Sequence, residues 1–161
     1  AYTMTEGKGD LDEVLYRFAT DAQKSGTKVC GVVQVNTDRV DCAKCDMDVQ
    51  VLPTGPTIRI SQDLGKESRG CRLDVDALEQ AVVAVGEHVS ADAELLVINK
   101  FGKHEANGRG FRDVIGQAIA LDVPVVCGVN AMNKTALEEF CGGEAVFIEP
   151  DPVALGNWFK S

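Results

Sequence analysis

Three near-continuous apolar runs, each rich in β-branched residues, set the strongest limit on how this chain folds. They are Lys28-Val29-Cys30-Gly31-Val32-Val33-Gln34-Val35, Glu94-Leu95-Leu96-Val97-Ile98-Asn99 and Val123-Pro124-Val125-Val126-Cys127-Gly128-Val129. A strand with one wet face alternates apolar and polar residues. These runs have almost no polar phase, so they suit strands covered on both faces of a parallel sheet. Parallel neighbours need long crossovers, and helical periods stand between the runs. Asp10 to Ser25 sets Leu11, Val14, Leu15, Phe18 and Ala22 on one stripe, with Gly26 as the C-terminal cap. Asp74 to Val89 repeats the pattern with Leu78, Ala81, Val82 and Val85, and Gly110 to Leu121 with Phe111, Val114, Ile115 and Ile119. Ala145 to Ile148 reads as a short strand, and Thr135 to Cys141 and Pro152 to Phe159 as short final helices. The expected class is α/β in three layers, a mostly parallel sheet flanked by helices and wound through right-handed βαβ units.

One stretch breaks this rhythm. Asp38 to Arg72 is rich in turn residues and carries Cys42-Ala43-Lys44-Cys45 and Pro53-Thr54-Gly55-Pro56. Val49 to Leu52 and Thr57 to Ile60 flank the second of these and predict an inserted β-hairpin. Its outer strand would offer an edge for pairing with a second copy, so a homo-oligomer is an expected partner state. The length of 161 residues suits one domain, residues 1–161, and the 45% hydrophobic content is enough for a packed core.

Charge narrows the partners. The formal net charge of -9 repels phosphate backbones and anionic lipid headgroups, so neither nucleic acid nor a membrane is expected. No apolar run approaches the roughly 20 residues that cross a bilayer. Ala1-Tyr2-Thr3-Met4 reads as the end of a strand and not as a signal peptide. Two of the six cysteines, Cys30 and Cys127, sit inside the apolar runs, which favours reduced thiols and a cytoplasmic location.

In an open α/β sheet ligands sit beyond the carboxyl ends of the strands, where four cation-bearing segments are expected to meet. The first is Thr5-Glu6-Gly7-Lys8-Gly9-Asp10, between the opening strand and the first helix. It keeps the Gly-Lys of a phosphate loop but lacks the leading glycine, and Gly9 stands where the magnesium-binding hydroxyl belongs. On the motif alone it reads as a turn with Asp10 as N-cap. The second is Asn99-Lys100-Phe101-Gly102-Lys103-His104-Glu105, directly after a buried strand. Working nucleoside triphosphatases place acids at that point. Here Asn99 is neutral and Lys100 is a cation suited to an oxyanion. The third is Lys66-Glu67-Ser68-Arg69-Gly70-Cys71-Arg72, ahead of Asp74 as N-cap, and the fourth is Asn107-Gly108-Arg109-Gly110. Each of these also reads as a solvated turn. Cys42 and Cys45 form one C-x-x-C without a second pair, so a metal site would have to draw on Cys71. His88, late in its helix, reads as structural.

The stretches Gln62-Asp63-Leu64-Gly65, Arg69-Gly70-Cys71-Arg72-Leu73-Asp74 and Asn99 to Glu105 resemble a bacterial domain family of unassigned function. Its genes are often found beside molybdate-transport or nitrogenase-related genes. That family is similar to small P-loop nucleoside triphosphatases, in which a strand ends in Ile-Asp-Glu-Ile-Gly-x-x-Glu. Ile98 to Glu105 follows that motif with Asn99 for the aspartate and Lys100 for the glutamate, while Gly102 and Glu105 match. The resemblance implies a P-loop-like fold and a non-hydrolysing accessory protein of molybdenum metabolism that binds molybdate, another oxyanion, ATP or GTP. The candidate binding residues, carried by the four segments, are Thr5, Gly7, Lys8, Gly9, Ser68, Arg69, Gly70, Arg72, Asn99, Lys100, Gly102, Lys103, Glu105 and Arg109. Another molybdenum-pathway protein is the implied partner. Two other readings stay open. One is a slow magnesium-dependent triphosphatase using Glu105 or Asp63, and the other a thiol-based metal or redox module on Cys42, Cys45 and Cys71.

Overall fold

The computed structural model describes residues 1–6, 10–37, 46–62 and 73–161. The first half of the chain forms β1 (Tyr2–Thr3), α1 (Asp10–Lys24), β2 (Val29–Thr37), β3 (Asp46–Leu52), β4 (Thr57–Arg59) and α2 (Val75–Gly86). The second half forms β5 (Leu95–Phe101), α3 (Lys103–Ala106), α4 (Arg112–Ala120), β6 (Val125–Val129), α5 (Lys134–Phe140) and α6 (Pro152–Lys160). The six strands make one sheet in the order β1-β6-β5-β2-β3-β4. β1, β6, β5 and β2 run parallel, and β3 and β4 are antiparallel.

The apolar runs are buried on both faces, as their composition requires. Cys30, Val32, Leu96, Ile98 and Cys127 face a layer formed by α2, α4 and α5. Val29, Val33, Leu95, Val97 and Val126 face α1 and α6. Helix α1 buries Leu15, Phe18 and Ala19 and stops where expected. Gly26 adopts φ 88°, its N–H donates to Gln23 O, and the Thr27 N–H donates to Ala22 O. That double bond is the left-handed cap glycine allows. At α2 the Asp74 carboxylate accepts the Ala77 N–H at 3.1 Å, the predicted N-cap.

Three elements depart from expectation. The hairpin is the end of the same sheet and not a separate insertion, because β3 pairs with β2 from Gly31↔Leu52 to Thr37↔Asp46. The sheet is therefore mixed. The helix expected from Gly110 to Leu121 begins at Arg112, and a separate turn, α3, precedes it. Gly108 and Gly110 between them have positive φ, which a helix interior does not accept. Ala145 to Ile148 makes a single bridge, Tyr2↔Phe147, instead of a strand. Val146 and Phe147 are 58% and 42% exposed there, so little burial holds a longer pairing. Among the described residues, no helix is long and apolar enough to cross a membrane.

Candidate functional site at the carboxyl edge of the sheet

The carboxyl ends of the parallel strands carry a polar network that grows from Asn99, the fifth residue of β5. Asn99 is 3% exposed and faces α1, since Ile98 before it faces the opposite layer. Its Oδ1 accepts the Gln34 backbone N–H at 3.0 Å. That fixes the amide and aims Nδ2 at Asp12 Oδ1, 2.8 Å away in the first turn of α1. The other oxygen, Oδ2, accepts from Asn36 Nδ2 at 2.6 Å, and Gln34 Nε2 donates to Asn36 Oδ1 at 2.8 Å. One carboxylate is thus held by two neutral amides from two neighbouring strands. An aspartate at position 99 would instead face Asp12 across the same gap, and two such carboxylates need a proton or a cation between them.

β1 and β6 are neighbours whose chains leave to opposite faces, β1 into α1 and β6 into α5. In an open α/β sheet this reversal marks the crevice where ligands bind. Thr3 ends β1 at that point. It pairs with Gly128, and a Cβ built on Gly128 would point at Leu11 and Leu15 of α1 and lie 2.2 Å from Asn99 O. Thr3 therefore faces α1 as well. Its side chain is wholly buried, and its hydroxyl has no hydrogen-bond partner among the described residues.

The expected site residues distribute unevenly. Asn99 joins the network, and Lys100 beside it is exposed with no ion pair among the described residues. Thr5 lies partly buried between β1 and α1. The Gly102 N–H donates to Glu105 Oε2 at 2.9 Å, and the Phe111 N–H lies 3.4 Å from Oε1. A Cβ on Gly110 would come within 2.3 Å of that Oε1, so the carboxylate of Glu105 is enclosed by the loop it ties together. Lys103 and Arg109 are exposed around it. The adjoining His104 Nε2 meets Glu79 Oε1 at 2.8 Å. Gly7, Lys8, Gly9, Ser68, Arg69, Gly70, Arg72 and Asp63 lie outside the described residues, as do Cys42, Cys45 and Cys71. Thr3, Asp12, Gln34 and Asn36 were not foreseen. The acidic first turn of α1 was the only hint of Asp12.

The described thiols and the cavities lie elsewhere. Burial pushes Cys30 up to about 11 and Cys127 up to about 12, so both stay protonated at neutral pH. Among the described residues no cluster of three or more His, Cys, Asp or Glu is placed to hold a metal. Two cavities of about 400 and 430 Å³ open at the opposite, amino edge of the strands, one lined by Lys28 and His88 and the other by Val125 and Cys127. Neither reaches Asn99 or Asp12.

Comparison with known proteins assigns the chain. Over 153 residues, 94% of its length, it is 37% identical to the Molybdenum import ATP-binding protein ModC 2 of Bradyrhizobium diazoefficiens. The chain spans only 17% of the length of that relative. No solved structure matches. Residues 1–158 match the family model described as Protein of unknown function (DUF2478), and the chain belongs to that family.

Proposed function

We propose that this chain is a P-loop-like accessory unit of molybdenum metabolism that binds a nucleotide or an oxyanion without hydrolysing it. The observation that carries the reading is Asn99. Hydrolytic P-loop enzymes hold magnesium and orient water with acids at a strand end. This strand end offers a buried amide already bonded to Asp12, followed by the cation Lys100. The element order supports the P-loop likeness, because β1, a short glycine-bearing connection and α1 repeat the strand–loop–helix unit of that motif. The name of the relative, which couples molybdenum import with ATP binding, supports the ligand class.

Glu105 is a poor replacement acid, since both of its oxygens face backbone N–H groups within its own loop. The reading treats residues 1–161 as one cytoplasmic domain. Lys8, Lys100 and Arg69 supply positive charge around the ligand. Calorimetric titration with ATP, GTP, molybdate and sulfate, run beside a phosphate-release assay, tests it. Binding of at least one ligand, weakened about tenfold in Lys8→Ala or Lys100→Ala, with no phosphate released, is the expected result. Unchanged affinity in both variants removes the reading. Magnesium-dependent phosphate release that disappears in Lys8→Ala replaces it with a slow triphosphatase.

A further inference from the structure

We propose that the segment Ala145 to Ile148, which flanks β1, takes up an extended, lysine- or arginine-bearing stretch of another protein as an added strand. β1 and β6 stand between this segment and Asn99 on β5, so the surface is separate from the polar network and independent of the ligand reading above. Three observations support it.

The first is an open backbone. Phe147 bridges to Tyr2, with the Tyr2 N–H donating to Val146 O and the Ile148 N–H to Tyr2 O, both at 2.9 Å. In that parallel pairing the N–H and C=O of Phe147 itself point away from Tyr2. Neither these groups nor those of Ala145 have a hydrogen-bond partner among the described residues. Val146 and Phe147 are exposed beside them, and an apolar strand with free backbone groups is a template for pairing. The other end of the sheet is guarded. β4 has three residues, and its Arg59 lies against Asp46 and Asp48.

The second is a receptacle for a side chain. Phe147 faces the α5 side of the sheet, since its ring lies 5.7 Å from that of Tyr2, and Ala145 packs on the same side. There the segment adjoins the cavity of about 430 Å³, lined by Ile115 and Ile119 of α4, Leu137 of α5 and Ala145. It has room for a leucine or phenylalanine side chain carried by the added strand. In strand addition the backbone bonds give affinity, and pockets for alternate side chains give selectivity.

The third is charge. Residues 138–151 hold five acids, Glu138, Glu139, Glu144, Glu149 and Asp151, and no lysine, arginine or histidine. Glu144 and Asp122, both exposed, also line the cavity. A second copy pairing here about a two-fold axis at Phe147 would set Glu144 of each chain against the Glu149 to Asp151 end of the other. Such crowding of like charge, between chains of net charge -9, opposes self-pairing. Lysines or arginines beside an apolar residue complement the same acids. The occupant is therefore a basic extended segment and not a second copy.

The test is fluorescence anisotropy of three dye-labelled hexapeptides on the full chain. One alternates lysine with leucine, one carries glutamate for each lysine, and one is the lysine peptide with alternate backbone nitrogens methylated. The lysine peptide should bind saturably below about 1 mM, with the other two about tenfold weaker or worse. Glu144→Lys/Glu149→Lys changes two exposed positions. It should weaken the lysine peptide about 3- to 30-fold and strengthen the glutamate peptide. Amide exchange at Phe147, followed by NMR, should slow when the lysine peptide is added. No saturable binding of the lysine peptide, binding that survives methylation, or unchanged affinity in the double variant overturns the inference. So does a peptide-free protein that sediments as a dimer with the Phe147 amide already protected, which would assign this strand to a second copy.

Discussion

Replacing Thr3 by valine removes one oxygen from a wholly buried position and leaves the side-chain shape nearly unchanged. In most proteins such a change is costly, because the hydroxyl gives up a hydrogen bond. Here the hydroxyl has no partner among the described residues, so the folded protein already bears the desolvation cost. A buried unsatisfied polar group costs about 1–3 kcal/mol, and Thr3→Val should recover about 1–2 kcal/mol of it. For a chain of this size each kcal/mol moves the melting temperature by about 2–4 °C, so a rise of about 2–8 °C is expected. Binding should respond with the opposite sign. Ligand at 100 times its dissociation constant stabilises by about 2.7 kcal/mol, and a tenfold weaker complex at the same concentration keeps only about 1.4 kcal/mol. Calorimetric melting of both proteins, alone and with Mg-ATP, reads both effects in one series. Destabilisation of the unliganded variant by 1 kcal/mol or more would show that the hydroxyl is already satisfied. Stabilisation with an undiminished ligand shift would make it a core defect unrelated to binding.

Other perturbations probe the groups around the carboxyl edge. Glu105→Ala should destabilise by about 2–4 kcal/mol in urea melts, because the Gly102 and Phe111 N–H groups lose their acceptor, while Glu105→Gln should lose less. A stable Glu105→Ala protein with altered ligand affinity would reassign this residue from the loop to the ligand. Gly128→Ala would drive a Cβ to within 2.2 Å of Asn99 O, a backbone atom that cannot swing aside. A loss of about 1–3 kcal/mol and a weakened ligand shift are expected, and a neutral substitution would refute the close packing of β6 on the end of β5. Cys30 and Cys127 are raised from 9.0 by burial. Between about pH 9 and 12 the unfolded chain therefore releases protons that the folded chain keeps, so stability should fall as pH rises through that window and be unaffected by these thiols below it. Equal melting temperatures across that range for wild type and Cys30→Ala/Cys127→Ala would contradict it.

The parallel half of the sheet was legible because strands buried on both faces leave almost no polar residues in their sequence. Gly26 and Asp74 were legible for local reasons, since a cap is written within a few residues of the helix it ends. The network at Asp12 was not. Its bonds link residues 24 and 87 positions apart, and no local pattern marks an amide on one strand as the partner of an acid on a distant helix. The place of the hairpin beside β2 was hidden for the same reason, since pairing between Val32 and Val51 is a tertiary fact. The tie that Glu105 makes to its own loop did have a local signal. An acid three residues after Gly102, at the start of a turn, is the spacing with which a helix start ties back its own backbone N–H.

The proposed activity of the carboxyl edge is to bind a nucleotide or oxyanion without turning it over. Equilibrium binding of ATP and molybdate, with phosphate release followed in the same sample, tests it most directly. Saturable binding to the wild type, about tenfold weaker in Lys100→Ala, is expected, with the ATP recovered intact. Stoichiometric magnesium-dependent phosphate release, or no binding of either ligand, would contradict it.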